Sequence, residues 1–171
     1  MNWYALYTSG GTEEKAKSIL EQQLPTFEFL IFKRRLKERK NGQWHIVDRK
    51  MFPGYVLMKG MMTEEAWYDL KATDAKFQIL KVEGEYQTLS NQEVKMLELL
   101  DQDASGLVDR SSLYIDGEKV IVTEGPLKGQ EAMIVSVNKR KGRAKVKIDF
   151  CGNIRIVELG VELIEKSDNK V

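Results

Sequence analysis

Apolar and polar positions change rhythm along this chain, and each change marks an element. "NWYALY" mixes aromatic and apolar residues and stops at Ser9-Gly10-Gly11, as a strand running into a turn does. In "TEEKAKSILEQQL" the residues Ala16, Ile19, Leu20 and Leu24 fall at helical spacing. Acidic residues occupy the first turn of that helix and Pro25 follows its end. "FEFLIF" predicts a second strand. A helix is predicted from Thr63, with Glu64 and Glu65 in its first turn and Trp67 and Leu70 facing inward. "FQILKVEG" predicts another strand, and "SNQEVKMLELL" a third helix whose capping box runs from Ser90 to Glu93, ahead of Val94, Leu97 and Leu100. The order β-α-β-β-β-α-β-α implies a mainly antiparallel sheet covered by helices, an α/β sandwich over residues 1–102.

Residues 103–114 are small, polar and aperiodic, the composition of a flexible linker. Beyond them the texture is different. "GEKVIV", "EAMIVSVN", "RAKVKIDF" and "IRIVEL" are short β-branched runs separated by Gly-bearing turns. Residues 115–167 are therefore expected to form a small β-barrel of about 55 residues, near the lower size limit of an independently stable domain. The fold class is α+β, in two domains.

Charge changes the picture at two places. Between Lys33 and Lys50 eight cations face only Glu38 and Asp48, and "KRKGRAKVK" from 139 to 147 carries six cations and no anion, within a chain of net charge +1. The first run contains Asn41-Gly42, the signal for a two-residue type I′ hairpin. That turn opposes Arg35 to Asp48, Glu38 to His45 and Arg39 to Trp44, giving charge-matched and cation–aromatic pairs. Neither face of the hairpin is cleanly apolar, so it is expected to project into solvent. Arg34, Arg35, Lys37, Arg39, Lys40 and Trp44 would suit contact with phosphates and unstacked bases. A solvated arm whose charges only protect a sheet edge is the alternative.

Composition excludes more than it selects. Apolar residues make up 42% of the chain and charged residues 31%, as in an ordinary globular protein. No apolar run approaches the roughly 18 residues of a membrane span, and the N-terminus lacks a signal-peptide pattern. With one Cys and one His no zinc cluster is expected, no internal disulfide is possible, and a reducing cytoplasm follows. No nucleophilic, metal or phosphate-loop signature is present, and His45 has no partner nearby in sequence, so neither catalysis nor a cofactor is expected.

The stretch "RKMFPGYVLMKG" resists a purely structural reading. Pro53-Gly54 between Phe52 and Tyr55 kinks the start of an apolar strand. The rings either pack into the sheet core or line an exposed pocket for a partner helix.

Here the residues carry a resemblance. "WYALYTSGGTEEKAKSIL", "RKMFPGYVLMKG" and "SNQEV" resemble the N-terminal (NGN) domain of the NusG transcription factors, and "GEKVIVTEGPLKGQEAMIVSV" resembles their C-terminal KOW module. The resemblance implies a five-stranded SH3-like barrel at the C-terminus, with Gly125 and Gly129 at its turns. It also implies binding to the clamp helices of RNA polymerase through Tyr7, Phe52, Pro53, Gly54 and Tyr55. Nearby cations would lie close to nucleic acid, and elongation would be favoured by population shift rather than catalysis.

The sequence departs from the family at two places. The loop that usually reads Phe-Gly-Arg-x-Thr is here Cys151-Gly152-Asn153-Ile154-Arg155, so Phe150, Cys151, Gly152 and Asn153 occupy the partner loop without its aromatic and arginine. A ribosomal or termination-factor partner does not carry over, and alternation with Val146 and Ile148 directs Phe150 into the barrel. The glycine-rich stretch after the second helix is replaced by "FQILKVEGEYQTLS", and the chain begins at its first strand. These departures resemble the LoaP-type antiterminators, which implies recognition of a leader RNA hairpin and contact with non-template DNA. Lys15 and Lys17 of the first helix join the hairpin cations as candidates, with Lys139, Arg140, Lys141 and Arg143 as a second set. A monomer is expected. The alternatives are a housekeeping NusG-like pausing or termination factor and a ribosome-associated KOW RNA-binding protein.

Overall fold

The computed structural model describes residues 1–79, 81–82 and 85–166. In chain order its elements are β1 (Asn2–Tyr7), α1 (Glu13–Gln23), β2 (Glu28–Leu30), β3 (Lys33–Lys40), β4 (Gln43–Lys50), β5 (Tyr55–Gly60), α2 (Glu64–Ala72), β6 (Gln78–Ile79), β7 (Lys81–Val82), β8 (Glu85–Tyr86), α3 (Asn91–Leu100), β9 (Leu107–Val108), β10 (Ser111–Asp116), β11 (Lys119–Glu124), β12 (Ile134–Asn138), β13 (Arg143–Phe150) and β14 (Asn153–Leu163). The chain divides into two compact units. The first comprises Met1–Phe32, Lys50–Lys95 and Phe150–Asn153; the second comprises Lys33–Arg49, Met96–Asp149 and Ile154–Val171.

The first unit is built on an antiparallel sheet in the order β2-β5-β1-β6. Strand β1 lies against β5 from Asn2↔Gly60 to Tyr7↔Tyr55. The apolar face predicted for α1 supplies Ala16, Leu20 and Leu24, which pack with Tyr4, Leu6, Val56 and Met58 of the sheet and with Leu70 of α2. Burying each of the larger side chains contributes on the order of 1.5–3 kcal/mol. Helix α2 starts where expected: the Thr63 side chain accepts from the amide of Ala66 at 3.0 Å. The capping box of α3 is formed in both directions, Ser90 N to Glu93 Oε1 at 3.1 Å and Glu93 N to Ser90 Oγ at 3.2 Å. The run "FQILKVEG" holds β6 and β7 rather than one strand. Its residues Leu80, Glu83 and Gly84 lie outside the described residues.

The second unit contains the five-stranded sheet β11-β10-β14-β13-β12, curled as in an SH3-like barrel. Along β13 the buried Ala144, Val146 and Ile148 alternate with the exposed Lys145, Lys147 and Asp149, as a half-buried strand requires. Gly125 is at φ 98°, and a Cβ there would stand 2.6 Å from the Cα of Ser111, so only glycine fits this turn. The expected end of the barrel, Ser167, lies outside the described residues.

Residues 103–114 depart from the linker expectation. They hold β9, which runs parallel to β3 at Lys33↔Leu107 and Arg34↔Val108, and the start of β10. Ser111 is buried and its Oγ accepts from the amide of Leu127 at 3.0 Å. Two-residue strands have no periodicity to read, and a polar Ser at a barrel start is indistinguishable from a loop Ser until its remote partner is known. Among the described residues no helix is long and apolar enough to cross a membrane.

Candidate functional site

The chain enters the Phe52-Pro53-Gly54-Tyr55 turn from Lys50 and leaves it into β5. Gly54 has φ 89°, and a Cβ there would meet Tyr7 Cε2 at 2.8 Å, so both the backbone angle and the close approach call for glycine. Its peptide is held from two directions. The carbonyl accepts from Thr8 N at 2.6 Å and Thr8 Oγ1 at 3.2 Å, and the amide donates to Glu13 Oε1 at 2.9 Å. Glu13, the first residue of α1, is fully buried; it also accepts from Gly11 N at 3.0 Å and pairs with the Lys50 ammonium. Burial alone would raise the pKa of this carboxyl. The Lys50 contact and the backbone donors outweigh burial and hold it below its ordinary value.

The rings are disposed unequally. Tyr7 is 45% exposed and meets Tyr55 edge-on at 5.3 Å between centroids. Phe52 is buried, stacked on Phe150 with centroids 4.0 Å apart and planes 5° from parallel; Tyr55 meets Phe150 edge-on at 5.1 Å. This corrects the expectation that Phe150 fills the barrel. Alternation along β13 is followed up to this strand end, but Phe150 itself packs within the first unit, against Phe52 and Tyr55. Phe52 therefore supports the surface from behind, and Tyr7 and Tyr55 present it. In the adjoining turn Cys151 and Gly152 both have positive φ, 53° and 77°, and Cys151 is buried. Asn153 Nδ2 donates to the Cys151 carbonyl at 3.4 Å.

The hairpin turn is type I′ in its angles, with φ 53° at Asn41 and 77° at Gly42. Arg35 pairs with Asp48 through two bonds of 3.0 and 3.3 Å, as read from the sequence. Other side chains reach diagonally: Lys37 lies over Trp44 at 4.8 Å, and Arg49 donates to Glu38 at 2.7 and 2.8 Å. Long side chains reach diagonal neighbours that register alone does not rank. The base of the hairpin does not project freely. Leu36 is buried, and Arg34 Nη1 donates to the Glu158 carbonyl at 2.6 Å. Burial pushes the Arg34 guanidinium down, with Glu158 opposing. Arg143 binds Glu158 at 2.9 Å and approaches Glu38 at 4.0 Å. Arg34 and Arg143, both expected on a nucleic-acid surface, are thus committed to packing within the second unit. Arg39, Lys40 and Trp44 at the hairpin tip are exposed, as are Lys139, Arg140 and Lys141 in the β12–β13 turn. Lys15 on α1 is exposed, and Lys17 pairs with Glu21 at 2.5 Å.

The sequence and this geometry can be set beside known proteins. The family model described as "Transcription termination factor nusG" matches residues 1–98, and the KOW motif matches residues 117–149. The chain belongs to the NusG family. It is a NusG-type transcription termination/antitermination factor with an NGN and a KOW domain, of a family without enzymatic activity. It is 28% identical over 174 residues to the "Transcription termination/antitermination protein NusG" of Rickettsia felis (strain ATCC VR-1525 / URRWXCal2), covering 97% of this chain and 90% of that protein. Its identity to the protein of the same name from Bacillus subtilis (strain 168) is 28% over 180 residues, covering 96% and 98%. The solved structure described as "Domain interaction in Thermotoga maritima NusG" shares the fold, with a TM-score of 0.59 at 21% identity over 93% of each chain.

Two residues of this NusG turn escaped sequence reasoning. Glu13 read as an ordinary acidic residue in a helix first turn, and Thr8 as the end of a strand. The only signal available was a cation, Lys50, immediately before an otherwise apolar turn, which in a buried setting demands a carboxylate from elsewhere. Nothing in one dimension says which of the chain's carboxylates supplies it.

Proposed function

We propose that the surface formed by Tyr7 and Tyr55, backed by Phe52 and shaped by Pro53 and Gly54, binds the clamp helices of RNA polymerase, and that bound protein favours processive elongation through terminators. What carries this reading is the turn itself: two tyrosine rings in edge-on contact at a strand head whose backbone is bonded on both sides of Gly54. A rigid aromatic pair of this kind suits a protein helix, to which it offers large apolar area at low entropic cost. The exposed tip cations Arg39 and Lys40, with Trp44, are assigned to nucleic acid, most simply the leader RNA hairpin of particular operons. The polymerase-binding role is assigned to the unit that carries the aromatic turn, and the protein works as a cytoplasmic monomer.

The test is binding of the full chain to core polymerase, followed by single-round transcription through an intrinsic terminator with and without an upstream leader hairpin. Tyr55→Ala and Tyr7→Ala should each weaken polymerase binding at least about tenfold, the scale of an interface anchor. Full affinity in Tyr55→Ala rejects the reading. The likeness to NusG proteins of general name favours a second reading, a housekeeping factor. An effect on pausing that ignores the leader would select it over the operon-specific one.

A further inference from the structure

Glu13 is buried in a place where a charge is expensive. An isolated carboxylate taken from water into a packed interior is destabilising unless donors surround it. This one has three, two of them from the aromatic turn and its lead-in. Lys50 stands immediately before Met51-Phe52 and Gly54 lies within the turn, while Gly11 belongs to the loop leading into α1. One carboxylate therefore ties the turn and its lead-in to the start of α1, where the helix dipole adds to the preference for negative charge. Thr12 makes no side-chain cap on that helix; its hydroxyl donates to the Ser9 carbonyl at 2.6 Å.

We propose that Glu13 is the positioning residue of the polymerase-facing turn: it fixes the Gly54 peptide, and through it the setting of the Tyr55 ring against Tyr7. The inference rests on the polymerase reading of that surface. The path is short. The Gly54 amide donates to Glu13, its carbonyl accepts from Thr8, and Tyr7 Cε2 lies where a Gly54 side chain would begin. Tyr55 follows Gly54 directly and is paired with Tyr7 at the last register position of β1 and β5, so displacing Gly54 disturbs the setting of one ring against the other. The Lys50 charge, which in the sequence belongs to a basic run, is assigned to the same task and not to nucleic acid.

The experiment uses the full chain and core RNA polymerase, with affinity measured for wild type, Glu13→Gln, Lys50→Met, Tyr55→Ala and the double variant Glu13→Gln with Tyr55→Ala. Melting temperature and the Gly54 amide resonance are followed in parallel. Glu13→Gln is expected to shift the Gly54 resonance and to weaken polymerase binding about tenfold, the scale of one charge-assisted hydrogen bond. Lys50→Met should weaken binding by about threefold, since the backbone donors remain. The decisive readout is the double variant, which should bind no more weakly than Tyr55→Ala alone, because Glu13 acts through that ring. A merely structural carboxylate would lower the melting temperature and leave affinity intact, or would add its penalty in full to that of Tyr55→Ala; either result overturns the proposal. If Glu13→Gln does not fold, full affinity in Lys50→Met with an unmoved Gly54 resonance overturns it equally. Failure of the underlying polymerase reading appears separately, as wild-type affinity in Tyr55→Ala, and takes this inference with it.

Discussion

The aromatic turn and the basic hairpin are adjacent in sequence, both are dense in functional-looking side chains, and they are built on opposite principles. In the turn, each backbone group of Gly54 and both carboxylate oxygens of Glu13 have internal partners. The hairpin grades along its length. At its base Arg34, Arg35 and Arg49 are held by Glu158, Asp48 and Glu38, and only toward the tip do Arg39 and Lys40 face solvent. A count of cations therefore overstates the hairpin as a nucleic-acid surface, and a count of exposed aromatics understates the turn. What separates the two regions is how many of their polar groups the fold itself has already used.

The comparison breaks most visibly under ring deletion. Phe52→Ala removes a buried ring stacked on Phe150 and should lower stability by about 3–5 kcal/mol, read as a large fall in melting temperature. Trp44→Ala, at the exposed tip, should barely change melting yet weaken single-stranded RNA binding by about 1–3 kcal/mol. Equal melting shifts would mean that the turn is no better packed than the tip. The hairpin's own gradient is tested next. Arg34→Ala leaves the Glu158 carbonyl without its donor and should cost about 1–3 kcal/mol of stability. Arg39→Glu with Lys40→Glu should leave melting unchanged and reduce the salt dependence of RNA binding by a slope of about 1.4, two single-strand phosphate contacts.

Smaller effects sharpen the picture. Because the folded pKa of Glu13 is depressed, its contribution is fully present above the ordinary value of 4.5 and is lost as pH falls through the folded value. Stability measured from about pH 6 downward should show wild type converging on Glu13→Gln only below pH 4.5. Asp101 behaves in the opposite sense. Burial raises its pKa, its Oδ2 accepts from Gly106 N at 2.9 Å, and among the described residues its buried Oδ1 has no hydrogen-bond partner. Ionisation therefore opposes folding above its ordinary value of 3.8, and the penalty fades as pH falls. Asp101→Asn should raise melting temperature slightly at neutral pH, a gain of under about 1 kcal/mol, and leave no gain in acid.

Much of this architecture was legible from local rules. The caps at Thr63 and Ser90, the type I′ turn at Asn41-Gly42 and the alternation along β13 each depend on residues within a few positions of one another, and each is found as read. Legibility failed where the deciding partner is distant. Strand β9 is defined by β3, Phe150 by Phe52, and Arg34 by Glu158. At the candidate site the aromatic motif could be picked out directly, but its support could not, because Glu13 and Lys50 carry nothing locally unusual.

By itself, then, the sequence determined the periodic elements, the positions where only glycine or a capping residue serves, and the presence of an aromatic kink beside a basic run. These are short-range matters of sterics, backbone hydrogen bonding and apolar spacing. Only the tertiary structure decided which charges remain available to a partner. An ion pair is a contact in space, and a residue such as Lys50 is a nucleic-acid candidate or an internal strut according to whether a carboxylate lies within reach.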